Sequence, residues 1–257
     1  MMVNAVVILF VLSLTHPESV LELNGKVLAS DIGQFGVSDG AIVLKKGKSW
    51  QKLAGGLVDP KGIAALNDST IVVTDVTVVR QVTLSGKTKV LFGESDFKDK
   101  KPEFLNDITL GPDGRVYFSD TRKNCIFVGN PESGKVNLLV KVNSPNGMVF
   151  GPDSTLYIIT FEKPGKVYSY KDDSLRLVFK SHDIDGGDGI VVTPNGKLIM
   201  SGFISGKIVE YDIKTGNHRV LKKGLKTPAD ISLSASGTKL YIPLLQEGKV
   251  IEMPVSH

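Results

Sequence analysis

Along most of this chain, short runs rich in Val, Ile, Leu, Phe and Tyr alternate with clusters of Gly, Pro, Asn and Asp. That is the pattern of β-strands joined by tight turns. One layout recurs: a short anchor, an apolar strand, a turn, and a second strand of β-branched and aromatic residues. The clearest copy is FLNDITLGPDGRVYFSD from Phe104 to Asp120, followed by SPNGMVFGPDSTLYIIT from Ser144 to Thr160. Weaker copies are PESVLELNGKVLASD from Pro17, DPKGIAALNDSTIVVTD from Asp59, GDGIVVTPNGKLIMSG from Gly187 and PADISLSASGTKLYIP from Pro228. Each of the first five is followed by two more short strands, such as KVYSY from Lys166 and LRLVF from Leu175, or KIVEY from Lys207 and HRVLK from His218.

With Glu18, Lys61, Asn106, Asn146, Asp188 and Asp230 taken as anchors, the spacings are 43, 45, 40, 42 and 42 residues. Four strands per period, with no stretch of helical periodicity, exclude a βαβ fold, and the period is too long for leucine-rich or β-helix solenoids. The expected fold is all-β, a single six-bladed β-propeller over residues 1–257, its units beginning near residues 17, 59, 104, 144, 186 and 228. In blade six the anchor is Asp230 by turn spacing, or Ala229 if the register is counted from the proline.

The last unit supplies only three strands, ISLSA from Ile231, KLYIP from Lys239 and KVIEMPV from Lys249. A ring needs its fourth strand from the N-terminus, and FVLSLTHPES (Phe10 to Ser19) aligns without a gap on LLVKVNSPNG (Leu138 to Gly147). Residues 1–15 are therefore read as a closing strand, which favours a cytoplasmic location. The alternative for the apolar run Val6 to Leu14 is a signal peptide, although no Lys or Arg precedes it. That run is too short to span a bilayer, and no integral membrane segment is expected elsewhere.

Composition narrows the partners. The formal charge of +4 comes from 31 basic and 27 acidic residues dispersed along the chain, so no extended basic face is expected and no nucleic acid. Cys125, the only cysteine, excludes an intramolecular disulfide and a cysteine zinc cluster, and reads as a buried structural thiol. A monomer acting on a small molecule is expected.

In a propeller the starts of the inner strands converge at one mouth of the central channel. Glu18, Asn106, Asn146 and Asp188 would there offer two carboxylates and two amides, hard oxygen donors suited to a divalent cation, Ca2+ first, with Mg2+, Zn2+ or Mn2+ open. The competing role for such residues is capping of strand ends through backbone hydrogen bonds. Lys61 is expected to pair with Glu18 or Asp230, or to bind an anionic group of a substrate. Asn106 and Asp230 are further candidates for substrate contact.

The segments HPESV at His16, DPKGIA at Asp59, FLNDITLGPDGRVYFSDT at Phe104, SPNGMVFGPDSTLY at Ser144, GGDGIVVTPNGKL at Gly186 and PADISL at Pro228 resemble the senescence marker protein / gluconolactonase family of six-bladed, calcium-dependent propellers. Its wider superfamily includes diisopropyl fluorophosphatase and the paraoxonases. The resemblance implies that Glu18, Asn106, Asn146 and Asp188 hold the cation, with Asn106 nearer the substrate in some members, and that Asp188 is the catalytic base. The paraoxonase histidine dyad has no counterpart: His16 flanks Glu18, while His182, His218 and His257 fall elsewhere.

The expected activity is metal-dependent hydrolysis of a lactone or related ester. The alternative is a non-catalytic, NHL-like propeller that binds a ligand or protein, with a structural metal or none. A strictosidine synthase-like condensation fits poorly, because aromatic residues are only 7% of the chain and Trp50 is its single tryptophan.

Overall fold

The computed structural model describes residues 13–98 and 100–255. Five sheets have four antiparallel strands in chain order and one has three. Blade one comprises Pro17–Leu23, Lys26–Asp31, Gly40–Lys46 and Ser49–Leu57, and blade two Pro60–Asn67, Thr70–Asp75, Val78–Thr83 and Thr88–Phe92. Blade three comprises Leu105–Leu110, Val116–Asp120, Cys125–Gly129 and Val136–Lys141, and blade four Pro145–Phe150, Leu156–Thr160, Gly165–Lys171 and Ser174–Ser181. Blade five comprises Gly187–Val192, Lys197–Gly202, Lys207–Asp212 and His218–Lys222, and blade six Ser232–Leu233, Lys239–Leu244 and Lys249–Pro254. Each first strand packs against those of the preceding and following blades, blade six against blade one included. The fold is a closed six-bladed β-propeller, as the repeat predicts.

The turns follow from local chemistry. In Gly111–Pro112–Asp113–Gly114, the Gly114 N–H donates to the Gly111 carbonyl at 3.0 Å, and Gly114 has a φ of +74° that a side chain would strain. Asp113 accepts from the Arg115 N–H at 3.0 Å and so sets the start of the next strand.

Stability comes from the faces between blades, where side chains alternate to both sides of each sheet. The second strands of blades three and four, VYFSD and LYIIT, are buried at every position because a blade lies on either side. Between blades two and three, Phe92, Phe97, Phe118 and Phe127 form one cluster with rings 5.0 to 5.9 Å apart. Each such side chain contributes about 1.5–3 kcal/mol on burial. At the seam between blades six and one, Leu14, Ala29, Ala41 and Val43 pack against Trp50 and Val250.

The predicted closing strand lies mostly in residues 1–12, outside the described residues. The described end of that segment does run along the seam. Leu14 is buried there, and its carbonyl would lie 2.6 Å from a Cβ added at Gly248, just before the last strand of blade six. Among the described residues no helix is long and apolar enough to cross a membrane.

Candidate functional site

The inner strands of blades one to five carry the same irregularity near their starts. Pro17 pairs with Asp31 and Val20 with Ala29, so that Glu18 and Ser19 together face Ser30. The same two-against-one bulge sets Lys61 and Gly62 against Thr74, Asn106 and Asp107 against Ser119, Asn146 and Gly147 against Ile159, and Asp188 and Gly189 against Ser201. A bulge re-aims the side chain it carries. In blades one to five the second residue of the inner strand is therefore the anchor, and Glu18, Lys61, Asn106, Asn146 and Asp188 all line one cavity of about 320 Å3.

Blade six departs from the turn-spacing register. Pro228 bridges Leu244 and Ser232 pairs with Tyr241, which makes Ala229 the equivalent of Glu18 and puts Asp230 one place further along. Asp230 is thus not in the cavity lining, contrary to the expectation of substrate contact; its Oδ2 accepts the Ser19 hydroxyl at 2.5 Å. The signal was in the chain: Pro228 precedes Ala229 as Pro17, Pro60 and Pro145 precede Glu18, Lys61 and Asn146.

The loops entering the first three inner strands are held by the last residue of each second strand. Asp31 accepts from Thr15 and His16 N–H, Asp75 from Val58 and Asp59, and Asp120 from Glu103 and Phe104. Asn106 is oriented further, its Nδ2 donating to Thr121 Oγ1 at 3.2 Å while Thr121 donates to the Pro145 carbonyl at 2.8 Å. The amide nitrogen is thereby engaged and Oδ1 left free.

Four buried side-chain oxygens lining this cavity have no hydrogen-bond partner among the described residues: Glu18 Oε2, Asn106 Oδ1, Asn146 Oδ1 and Asp188 Oδ1. A buried polar atom without a partner costs about 1–3 kcal/mol. Four in one cavity, two from carboxylates and two from amides, make a donor set that fits a hard divalent cation. Among the described residues no three His, Cys, Asp or Glu side chains form a metal-binding group, so the arrangement depends on both amides.

Burial pushes the Glu18 carboxyl well above the usual range, and the neighbouring Asp188 charge adds to the effect. Asp188 is raised by burial and then by Asp230, and Asp107 likewise. Asp230 is pushed up to about 7 by burial, against the hydrogen bond from Ser19. Asp107, which the sequence reading did not single out, accepts the Met148 N–H on Oδ2 at 2.5 Å and ties blade three to blade four.

The expected ion pair of Lys61 does not form: no carboxylate lies within 4.0 Å of its Nζ among the described residues. Lys61 is 4% exposed and sits 4.9 Å from the Phe104 ring centroid and 5.6 Å from that of Phe35. His16 is a strand-end residue. Its Nδ1 carries the proton and donates to the Gly33 carbonyl at 2.7 Å, and its ring packs 5.1 Å from Phe35.

The rest of the wall also obeys the repeat. The residue after the second strand is Ile32 in blade one, Thr121 in blade three, Phe161 in blade four, Phe203 in blade five and Leu245 in blade six, and all five line the cavity with Phe35, Phe104 and Arg122. Phe161 and Phe203 stand 5.8 Å apart. Aligning the repeats beyond their anchors would have exposed this second ring; sequence inspection for polar chemistry alone passes over it.

The sequence profile of the SMP-30/Gluconolactonase/LRE-like region matches residues 17–244. Human adipocyte plasma membrane-associated protein is 26% identical over 186 residues, 69% of this chain. The chain spans only 40% of that protein's length. A gluconolactonase from Xanthomonas campestris superposes with a TM-score of 0.76 at 17% identity, over 96% of this chain and 89% of that one. A streptogramin B lyase gives 0.65 at 17% identity over 95% of each chain, and a chain of a nidogen/laminin complex 0.71 at 16% over 93% and 89%. At these identities the superpositions show the fold.

Proposed function

This chain belongs to the SMP-30/gluconolactonase/LRE-like family, and we propose that it is a divalent-cation-dependent hydrolase of a lactone or related ester. The observation that carries the reading is the set of four partnerless oxygens on Glu18, Asn106, Asn146 and Asp188. These residues would hold the cation, Ca2+ in the first instance. When bound, such an ion polarises a carbonyl oxygen and stabilises the charge that develops on it.

Asp188 is the base in this reading. It takes a proton from water as the water oxygen bonds to the acyl carbon; the acyl carbon–oxygen bond then breaks and the leaving oxygen is protonated. In the cation-free chain burial and the charge of Asp230 raise its carboxyl; a bound cation would act the other way and hold it ionised, the form that accepts a proton. The apolar wall of Phe35, Phe104, Phe161, Phe203, Ile32 and Leu245 excludes bulk water and strengthens each polar contact inside it.

The test begins with chelator-treated protein. Added Ca2+ is expected to raise the melting temperature and to switch on lactone hydrolysis, and Glu18→Gln and Asp188→Asn to lose both responses. A folded protein that takes up no divalent cation defeats the reading. Cation uptake without turnover across lactones, aryl esters and phosphotriesters favours the non-catalytic binding propeller instead.

A further inference from the structure

The mouth of the cavity carries two cations that the proposed metal chemistry does not use. Lys61 and Arg122 both lie over Phe104, at 4.9 Å and 4.7 Å from its centroid. Lys61 is buried and Arg122 exposed. Neither has a carboxylate within 4.0 Å among the described residues. The nearby Glu103 is engaged instead by Lys123 at 2.8 Å.

The Glu18 and Asp188 carboxylates act on Lys61 only from beyond ion-pair distance, and a buried ammonium is costly unless something pairs with it. Formal charges sharpen the point. Glu18 and Asp188 would be neutralised by a bound divalent cation, leaving Lys61 and Arg122 as the net charge of the cavity. Apart from the four oxygen donors and the two cations, the one polar residue among the described lining residues is Thr121, whose hydroxyl is already engaged by Asn106 and Pro145. The polar groups lie to one side, and a polyhydroxylated ring would set the hydroxyls of its other side against Phe161, Phe203, Ile32 and Leu245, at a penalty for each left unpaired.

We infer that the ligand of this site is an apolar or aromatic molecule bearing one anionic group, which Arg122 and Lys61 bind beside Phe104 while its body packs on Phe161 and Phe203. This rests on the lactone or ester reading for the reacting end of the molecule. Arg122 is the specificity-determining residue: its planar fork matches a carboxylate in two-point contact, and Phe104 holds its position through the cation–π contact.

The experiment separates recognition from turnover by using lactams, which resist hydrolysis. Binding of dihydroquinolinone-6-carboxylate and of its 6-carboxamide to the full-length protein in Ca2+ is measured by calorimetry. The carboxylate is expected to bind about tenfold more tightly than the amide, as one charge-assisted contact allows, and to weaken as salt is raised. Arg122→Gln, at an exposed position, is expected to bring that ratio to about one without altering amide binding, and Arg122→Lys to keep part of it. Equal affinities, a ratio that survives Arg122→Gln, or no binding of either lactam overturns the inference. Charge-selective lactam binding by a protein that hydrolyses no lactone refutes the hydrolase reading and leaves this one standing; hydrolysis without charge preference does the reverse.

Discussion

The Ser19 hydroxyl donates to Asp230 Oδ2 at 2.5 Å, joining blade one to blade six across 211 residues of chain. Beside it the Asp230 N–H donates to the Glu18 carbonyl at 2.9 Å. These two bonds close the inner ring between blades six and one, and they tie the position of Glu18 to ring closure.

Ser19→Ala removes the donor and leaves a carboxyl oxygen facing a partner that can no longer reach it. The expected loss is about 1–3 kcal/mol of stability, read as a fall in the urea midpoint at unchanged slope. A midpoint equal to that of the parent protein would show the bond to be idle.

Without a cation, stability should decline as pH rises. Burial raises Glu18, Asp107 and Asp188 and pushes Asp230 up to about 7, so the folded protein retains protons that the unfolded chain releases near pH 4. Folding is then favoured at low pH, and that contribution disappears as pH climbs through about 7. Carboxylates held low by surface lysines, such as Glu247 beside Lys249, act only below this window. In chelator, the melting temperature at about pH 8 is expected to fall below that at about pH 5, with Ca2+ closing the gap. A metal-free melting temperature that increases over the interval contradicts the assignment.

Gly147 packs directly against the inner strand of blade five, and a Cβ there would sit 2.2 Å from the Asp188 carbonyl oxygen. Gly147→Ala must push the two strands apart, at about 1–3 kcal/mol, and carry Asp188 with them. Both a lower melting temperature and weaker cation binding are expected; a normal cation titration would mean that Asp188 is not held by this contact.

Cys125 is fully buried in blade three, and burial pushes its thiol up to about 11. The thiolate is the reactive form, so the native protein should not react with Ellman's reagent at neutral pH, and one equivalent should appear on unfolding in guanidinium. Prompt reaction in the native state would mean that blade three opens readily.

Much of this architecture was legible in the chain. Alternation of apolar residues with Gly, Pro, Asn and Asp marks strands and turns through local backbone preference, and a period near that of a propeller blade, repeated six times, leaves few other ways to bury both faces of every sheet. The five positions that reach the cavity could be found because each sits at the same offset from its turn. Asp230 was misplaced for the same reason: turn spacing counts residues, whereas the bulge that aims a side chain is set by pairing with the neighbouring strand. Whether Lys61 would pair with Glu18 or stand over Phe104 depends on side-chain directions across blades far apart in sequence, and so does the recruitment of Arg122, Phe161 and Phe203 to one wall. Local chemistry thus determined the number of blades and the residues available at their inner ends. Only the through-space packing of those ends decided which oxygens were left without hydrogen-bond partners and which cations were left without a direct ion pair.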